Sequence, residues 1–189
     1  SVGSANAVSE TLVSAAPLIL AALGIALAFQ AGLFNIGAEG QMIIGGIAAV
    51  VIGFSFPGLP IFIHLPLALL IGALGGAAWA SIAGWLRAAT GAHEVIVTIM
   101  LNYVAFYLIS FLLKTQGALQ APGSNTPKSP PAKESAAYPT LSDLLGWLGA
   151  PQTGSFRLHL GFIFAILATI WVWYLLNRSS MGFRFRAVG

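Results

Sequence analysis

Cysteine is absent from the 189-residue chain, so there is no disulfide framework, no thiolate-ligated zinc or iron–sulfur centre and no thiol nucleophile. Charge is nearly absent as well. The 8 Lys and Arg and 5 Asp and Glu make up 7% of the residues, where soluble domains carry about 25%. So few ions cannot clothe a water-exposed surface, which argues against a soluble enzyme. No Gly-x-x-x-x-Gly-Lys-Ser/Thr stretch occurs, so the chain has no phosphate-binding loop with which to use ATP by itself. His64, His93 and His159 are too scattered for a metal-ligand pattern, and His93-Glu94 is not a zinc-protease motif because Val97 stands where the second His belongs. The net charge of +3 does not gather into a basic patch, so nucleic acid is not an expected partner, and neither a metal nor a cofactor is called for.

What is present is hydrocarbon: 58% of the residues are hydrophobic and the mean hydropathy is +0.89. No Asp, Glu, Lys or Arg falls between Glu10 and Glu39, between Glu39 and Arg87, between Glu94 and Lys114, or between Arg157 and Arg178. A helix needs about 20 mostly apolar residues to cross a bilayer, and these gaps have room for five such helices. The spans are expected near 12–29, 41–56, 65–86, 95–113 and 158–176. Pro57-Gly58-Leu59-Pro60, with His64 and Pro66 close behind, divides the second from the third. The fold class is therefore all-α: a polytopic transmembrane helix bundle with one long extramembrane loop and the lipid bilayer as its first partner. Trp85 beside Arg87, and Trp171, Trp173 and Tyr174 before Arg178, fit the aromatic belt at the headgroups.

The Lys114–Arg157 segment is the one long polar stretch and carries six prolines, which makes it a surface loop. Within it, Leu141–Leu148 has the pattern of a short amphipathic helix with Ser142 as its N-cap. The positive-inside vote is close to a tie. Arg87, Arg178, Arg184 and Arg186 fall on one side, Lys114, Lys128, Lys133 and Arg157 on the other, and the short-loop arginines tip their side toward the cytoplasm. Asn177-Arg178-Ser179 matches a glycosylation pattern on that same side and is read as chance. Ser1 is not a start Met and no basic leader precedes the first apolar run, so the chain is expected to be a fragment of a longer one.

On the third span Ala68, Gly72, Gly76, Ala80 and Gly84 recur every four residues, a stripe suited to close helix packing rather than to a pore wall. Two groups of intramembrane polar residues ask for a functional account, because such residues are costly in hydrocarbon. In Gly32-Leu33-Phe34-Asn35-Ile36-Gly37-Ala38-Glu39-Gly40-Gln41 the backbone must bend or unwind. Freed amides, the positive end of the following helix and the side chains of Asn35, Glu39 and Gln41 then form a polar recess. A tight turn, with Asn35 capping the second helix and Glu39 solvated, accounts for the same residues equally well. In the fourth span Glu94, Thr98 and Asn102 are spaced i, i+4, i+8 and so share one face. Interhelical hydrogen bonding is the simpler role for Thr98, whereas Asn102, deeper in the apolar run, is the stronger site candidate.

The segment from Gly32 to Gln41 resembles permease subunits of ABC importers for nucleosides and simple sugars, in the branched-chain-type permease superfamily. Three other stretches agree: Ser9-Glu10-Thr11-Leu12-Val13 with Pro17-Leu18-Ile19-Leu20, His93 to Tyr103, and Met181 to Gly189. The chain departs from the family at His93, where relatives often carry Asn, and in the loop before Arg157. The resemblance implies a multi-pass subunit of a bacterial-type plasma membrane that is not itself an enzyme. Its implied partners are a cytoplasmic ABC ATPase, a second permease subunit and an extracytoplasmic substrate-binding protein. It also implies that Gly182, Arg184 and Arg186 begin the segment that docks on the ATPase, where the two arginines would meet acidic groups. The expected cargo is a nucleoside or related ribose-containing solute, passing Asn35, Glu39, Gln41, Glu94, Thr98 and Asn102, and a simple sugar is the alternative. A proton- or ion-coupled carrier with Glu39 and Glu94 as relay acids is less favoured, since no Lys or Arg within the spans would pair with them.

Overall fold

The computed structural model describes residues 5–116, 119–140 and 159–188. Among them are six α-helices and no strand: α1 (Ala5–Gln30), α2 (Ala38–Ser55), α3 (Ile61–Thr90), α4 (Glu94–Lys114), α5 (Leu160–Arg178) and α6 (Ser180–Val188). The first five are each long and apolar enough to cross a membrane. The expected amphipathic helix at Leu141–Leu148, its Ser142 cap and Arg157 lie outside the described residues. The chain divides into two compact units, residues 34–137 and residues 1–33 with 138–189.

In the 34–137 unit α2 is the central element and packs on both α3 and α4. The α2–α3 contact explains the small-residue stripe. A Cβ added at Gly72 would lie 3.1 Å from the Gly45 carbonyl oxygen and from the Ala49 Cβ, and one at Gly76 would lie 3.1 Å from the Gln41 carbonyl oxygen. Gln41, Gly45 and Ala49 form a matching row on α2, four residues apart, so backbone meets backbone along the crossing. The stripe does not pack along its whole length: a Cβ at Gly84 meets nothing within 4 Å.

The turn between α2 and α3 is narrower than the proline cluster suggests. Gly58 takes a left-handed φ of 94°, Pro60 caps α3, and the helix starts at Ile61. His64 and Pro66 are therefore inside α3, not part of the turn. Pro66 falls early enough in the helix that its missing N–H costs a single bond, to Phe62. His64 is fully buried. Its Nε2 lies 3.0 Å from the Ile52 carbonyl, which can only accept, so that nitrogen carries the proton, and Nδ1 lies 2.7 Å from the Ser135 hydroxyl. The Lys133 amide donates to the Gly53 carbonyl at 2.9 Å, and a short 3-10 turn, Glu134–Ala136, packs on α3. The described part of the polar stretch after α4 is thus folded back as a cap that pairs the open carbonyls at the end of α2.

In the other unit α1 packs on α5. α1 ends in a Schellman motif: the Leu33 amide donates to Ala28 at 2.9 Å, the Gly32 amide to Phe29 at 3.0 Å, and Gly32 takes the left-handed φ of 70° that the motif needs. α5 is capped by His159, whose Nδ1 accepts from the Gly161 amide at 3.1 Å and whose ring stacks on Tyr138. Trp171, Trp173 and Tyr174 are all exposed on the unit's surface. Among the described residues, no three His, Cys, Asp or Glu gather where they could hold a metal ion.

Gly45→Val should destabilise the protein by about 1–3 kcal/mol, because a Cβ there falls 2.8 Å from the Gly72 carbonyl oxygen and backbone cannot yield cheaply. Gly84→Ala should be neutral or stabilising by up to about 1 kcal/mol. Thermal unfolding midpoints of the detergent-solubilised variants check both.

Candidate functional site

The backbone of residues 34–37, between α1 and α2, is not helical, so the amides and carbonyls it leaves outside any helix need partners elsewhere in the protein. α4 provides them. Its three polar side chains at i, i+4 and i+8 reach three successive points of the break. The Glu94 carboxylate accepts from the Phe34 amide. The Thr98 hydroxyl lies 3.4 Å from the Ile36 amide and donates to the Val95 carbonyl at 3.1 Å. Asn102 takes the deepest point, its Oδ1 accepting from the Gly40 amide at 2.8 Å and its Nδ2 donating to the Ile36 carbonyl at 3.0 Å.

The break also ties itself together. Asn35 Oδ1 accepts from the Gly37 amide at 2.8 Å and from Gln41 Nε2 at 3.1 Å. Gly37, not Asn35, is the N-cap of α2, so Asn35 closes a turn just outside the helix. Two glycines let α4 come this close. A Cβ at Gly37 would lie 3.0 Å from the Thr98 Cβ, and one at Gly40 would lie 2.9 Å from Asn102 Oδ1 and 3.1 Å from both the Asn102 Cα and Trp79 Nε1. The Trp79 indole nitrogen is buried there with no hydrogen-bond partner.

Glu94 also pairs with Arg87 across the Gly91 turn, where Gly91 takes a left-handed φ of 70° and its amide donates to the Arg87 carbonyl. The expectation that no Lys or Arg within the spans would pair with Glu94 is thereby corrected. α3 continues to Thr90, and the tight turn brings its last cation back onto the first residue of α4.

The six residues expected to touch the solute all lie on the α2–α4 seam, but in different states. Asn35 and Gln41 bond to each other, and Glu94 and Thr98 are engaged with the break. Glu39 and Asn102 line a half-open cavity of 320 Å³ together with Ile99, Tyr103, Phe106 and Tyr107. Asn102 has one N–H and one lone pair left for a guest. Glu39 is exposed, and among the described residues no donor or cation reaches its carboxylate. Sequence reasoning does not single out the aromatic residues, which read as ordinary members of an apolar span. The available signal is their spacing, since 103, 106 and 107 share a helical face beside Asn102. A second cavity, of 460 Å³, lies between α2 and α4 and is lined mainly by aliphatic side chains such as Met42, Ile47, Val50 and Leu113. Its walls offer little that could orient a polar guest.

The coupling candidates lie in the other unit. Ser179 joins α5 to α6: its hydroxyl donates to the Leu175 carbonyl at 2.6 Å and accepts from the Gly182 amide at 3.0 Å. Gly182 is buried, and any Cβ there would strike the Leu175 and Leu176 carbonyl oxygens. The Arg186 guanidinium donates to the Leu176 carbonyl, holding α6 against the end of α5. Arg184 is exposed and has no ion-pair partner among the described residues.

Residues 7–189 match the family described as branched-chain amino acid transport system / permease component. The guanosine ABC transporter permease protein NupP of Bacillus subtilis is 42% identical over 96% of this chain and 49% of its own length. The nucleoside ABC transporter permease protein NupB of Lactococcus lactis is 36% identical over 99% of this chain and 50% of its own. The glucose ABC transporter permease protein TsgB13 of Haloferax volcanii is 37% identical over 96% and 47%. The chain therefore spans about half the length of the curated relatives it matches. No solved structure matches it significantly.

Asn102→Ala should strip the Gly40 amide and the Ile36 carbonyl of their partners at once, at about 1–3 kcal/mol for each group left unpaired. Thr98→Val should cost less, its bond to the break being long at 3.4 Å. Unfolding midpoints, together with faster hydrogen exchange at Gly40 in the Asn102 variant alone, check the order.

Proposed function

Because the chain belongs to the branched-chain amino acid transport system / permease component family, we propose that it forms the membrane pathway of an ATP-driven ABC importer for nucleosides or related ribose-containing solutes. The observation that carries this reading is the cavity where Glu39 and Asn102 meet beside the interrupted helix. Both can hydrogen-bond a neutral, hydroxyl-rich solute, and the start of α2 adds the positive end of a helix dipole. The nucleoside permeases among the relatives support the cargo class. The glucose permease keeps a simple sugar as the second reading. A proton-coupled carrier has less support, since Glu94 is held by Arg87 and by the Phe34 amide.

In this reading the chain works as a multi-pass protein of a bacterial-type inner membrane. A separate cytoplasmic ABC ATPase supplies the energy, a second permease subunit completes the pathway, and an extracytoplasmic binding protein delivers the solute. The chain's own contribution is a seam whose backbone break is held by side chains instead of by a continuous helix. Such a non-helical segment, held to α4 by side chains, can be rearranged by movement of α2 against α4, as alternating access requires. α6 would face the ATPase and present Arg184 to an acidic partner.

Two measurements test the proposal. The full-length protein, reconstituted in vesicles with its partner subunits, should accumulate radiolabelled nucleoside when ATP is supplied and should ignore a protonophore. Uptake that collapses with the proton gradient, or entry of neither nucleosides nor sugars, overturns it. Separately, Arg184→Glu should weaken co-purification of the ATPase several-fold while Arg184→Lys retains it. Undiminished ATPase capture by the Glu variant removes Arg184 from the coupling surface.

A further inference from the structure

The cavity on the α2–α4 seam is divided by chemistry. One wall is aromatic, formed by Tyr103, Phe106 and Tyr107 at i, i+3 and i+4 of α4, with Phe106 and Tyr107 set edge to face at 5.8 Å. The other edge is polar and carries Glu39. This carboxylate belongs to the second residue of α2, and among the described residues nothing donates to it. An ionised carboxylate is an acceptor only, with two oxygens side by side, so its natural complement is a pair of adjacent N–H donors. Asn102 has used half of its capacity on the Gly40 amide and the Ile36 carbonyl and keeps one N–H and one lone pair. The cavity's 320 Å³ is at the small end of the roughly 300–1,000 Å³ typical of small-molecule sites.

We propose that this cavity receives the base of a purine nucleoside, laid against the aromatic wall of α4, and that Glu39 selects bases whose edge presents two adjacent N–H donors. The inference rests on the nucleoside reading above and goes beyond it by assigning the base a place and the choice among bases a residue. A flat heteroaromatic ring matches the wall because stacking is tolerant of ring identity. The donor pair matches the carboxylate because each of its bonds goes to an ion that has no competing partner. Guanosine offers two such donors, inosine one, and adenosine an acceptor beside its amino group.

The test is uptake by the complete importer, with the same binding protein and ATPase throughout, so that a change in the ratio between nucleosides belongs to this chain. Wild type should move guanosine faster than inosine and adenosine. Glu39→Gln, which replaces one acceptor oxygen by a donor, should lower the guanosine-to-adenosine ratio about tenfold, while Glu39→Asp, which keeps the carboxylate, should preserve the order. Tyr107→Leu should cut uptake of all three at least fivefold per assembled complex, and Tyr107→Phe should restore it. If wild type carries nucleosides and the Glu39→Gln ratio is unmoved, Glu39 is not the selector and the inference fails alone. If Tyr107→Leu transports like wild type, the aromatic wall is not the platform. If wild type carries sugars and no nucleoside, the nucleoside reading itself fails and takes the inference with it.

Discussion

The constraint from which the rest follows is that a backbone leaving helical geometry must have its freed amides and carbonyls paired by something else. Residues 34–37 leave it, and the groups they free are met by Glu94, Thr98 and Asn102 from one face of α4 and by Asn35 from within the break itself. Gly37 and Gly40 are small because α4 must come within hydrogen-bonding reach of that backbone. The site is a by-product of the same geometry. Asn102, which holds the break, also lines the cavity, and Glu39, an acidic group the break does not use, is left open in its wall.

Much of this architecture is legible in the sequence, for physical reasons. Charge is so scarce that its gaps outline the five membrane-length helices directly, and the i, i+4, i+8 spacing of Glu94, Thr98 and Asn102 places them on one face before any coordinates are consulted. Helix ends are less legible. α3 runs from Ile61 to Thr90, beyond its apolar stretch at both ends, because an early proline is tolerated and Gly91 sets the stop. What periodicity could not disclose are pairings across turns. Arg87 and Glu94 meet because the Gly91 turn is tight, and His64 meets Ser135 because a segment far along the chain folds back. The aromatic wall of the cavity was hidden for a different reason: in a membrane span Tyr and Phe count first as hydrocarbon, and a lining role is visible only once Glu39 is seen beside them.

The two units differ in how they use glycine and serine. In the 34–137 unit glycines bring backbones together, Gly45 against Gly72 and Gly40 against Asn102. In the other unit Gly182 and Ser179 fold a short helix back on the end of a long one, with Arg186 fastening the corner. The first arrangement produces a seam and the second a hydrogen-bonded elbow.

The cap over the end of α2 bears on how the protein is made. Ile52 and Gly53 are synthesised long before Lys133 and Ser135, yet the Gly53 carbonyl is paired by the Lys133 amide, and the His64 ring that pairs Ile52 is itself fixed by Ser135. Until that later segment has emerged, the Gly53 carbonyl lacks the partner it has in the finished fold, so the seating of the end of α2 is completed only after α4 has been made.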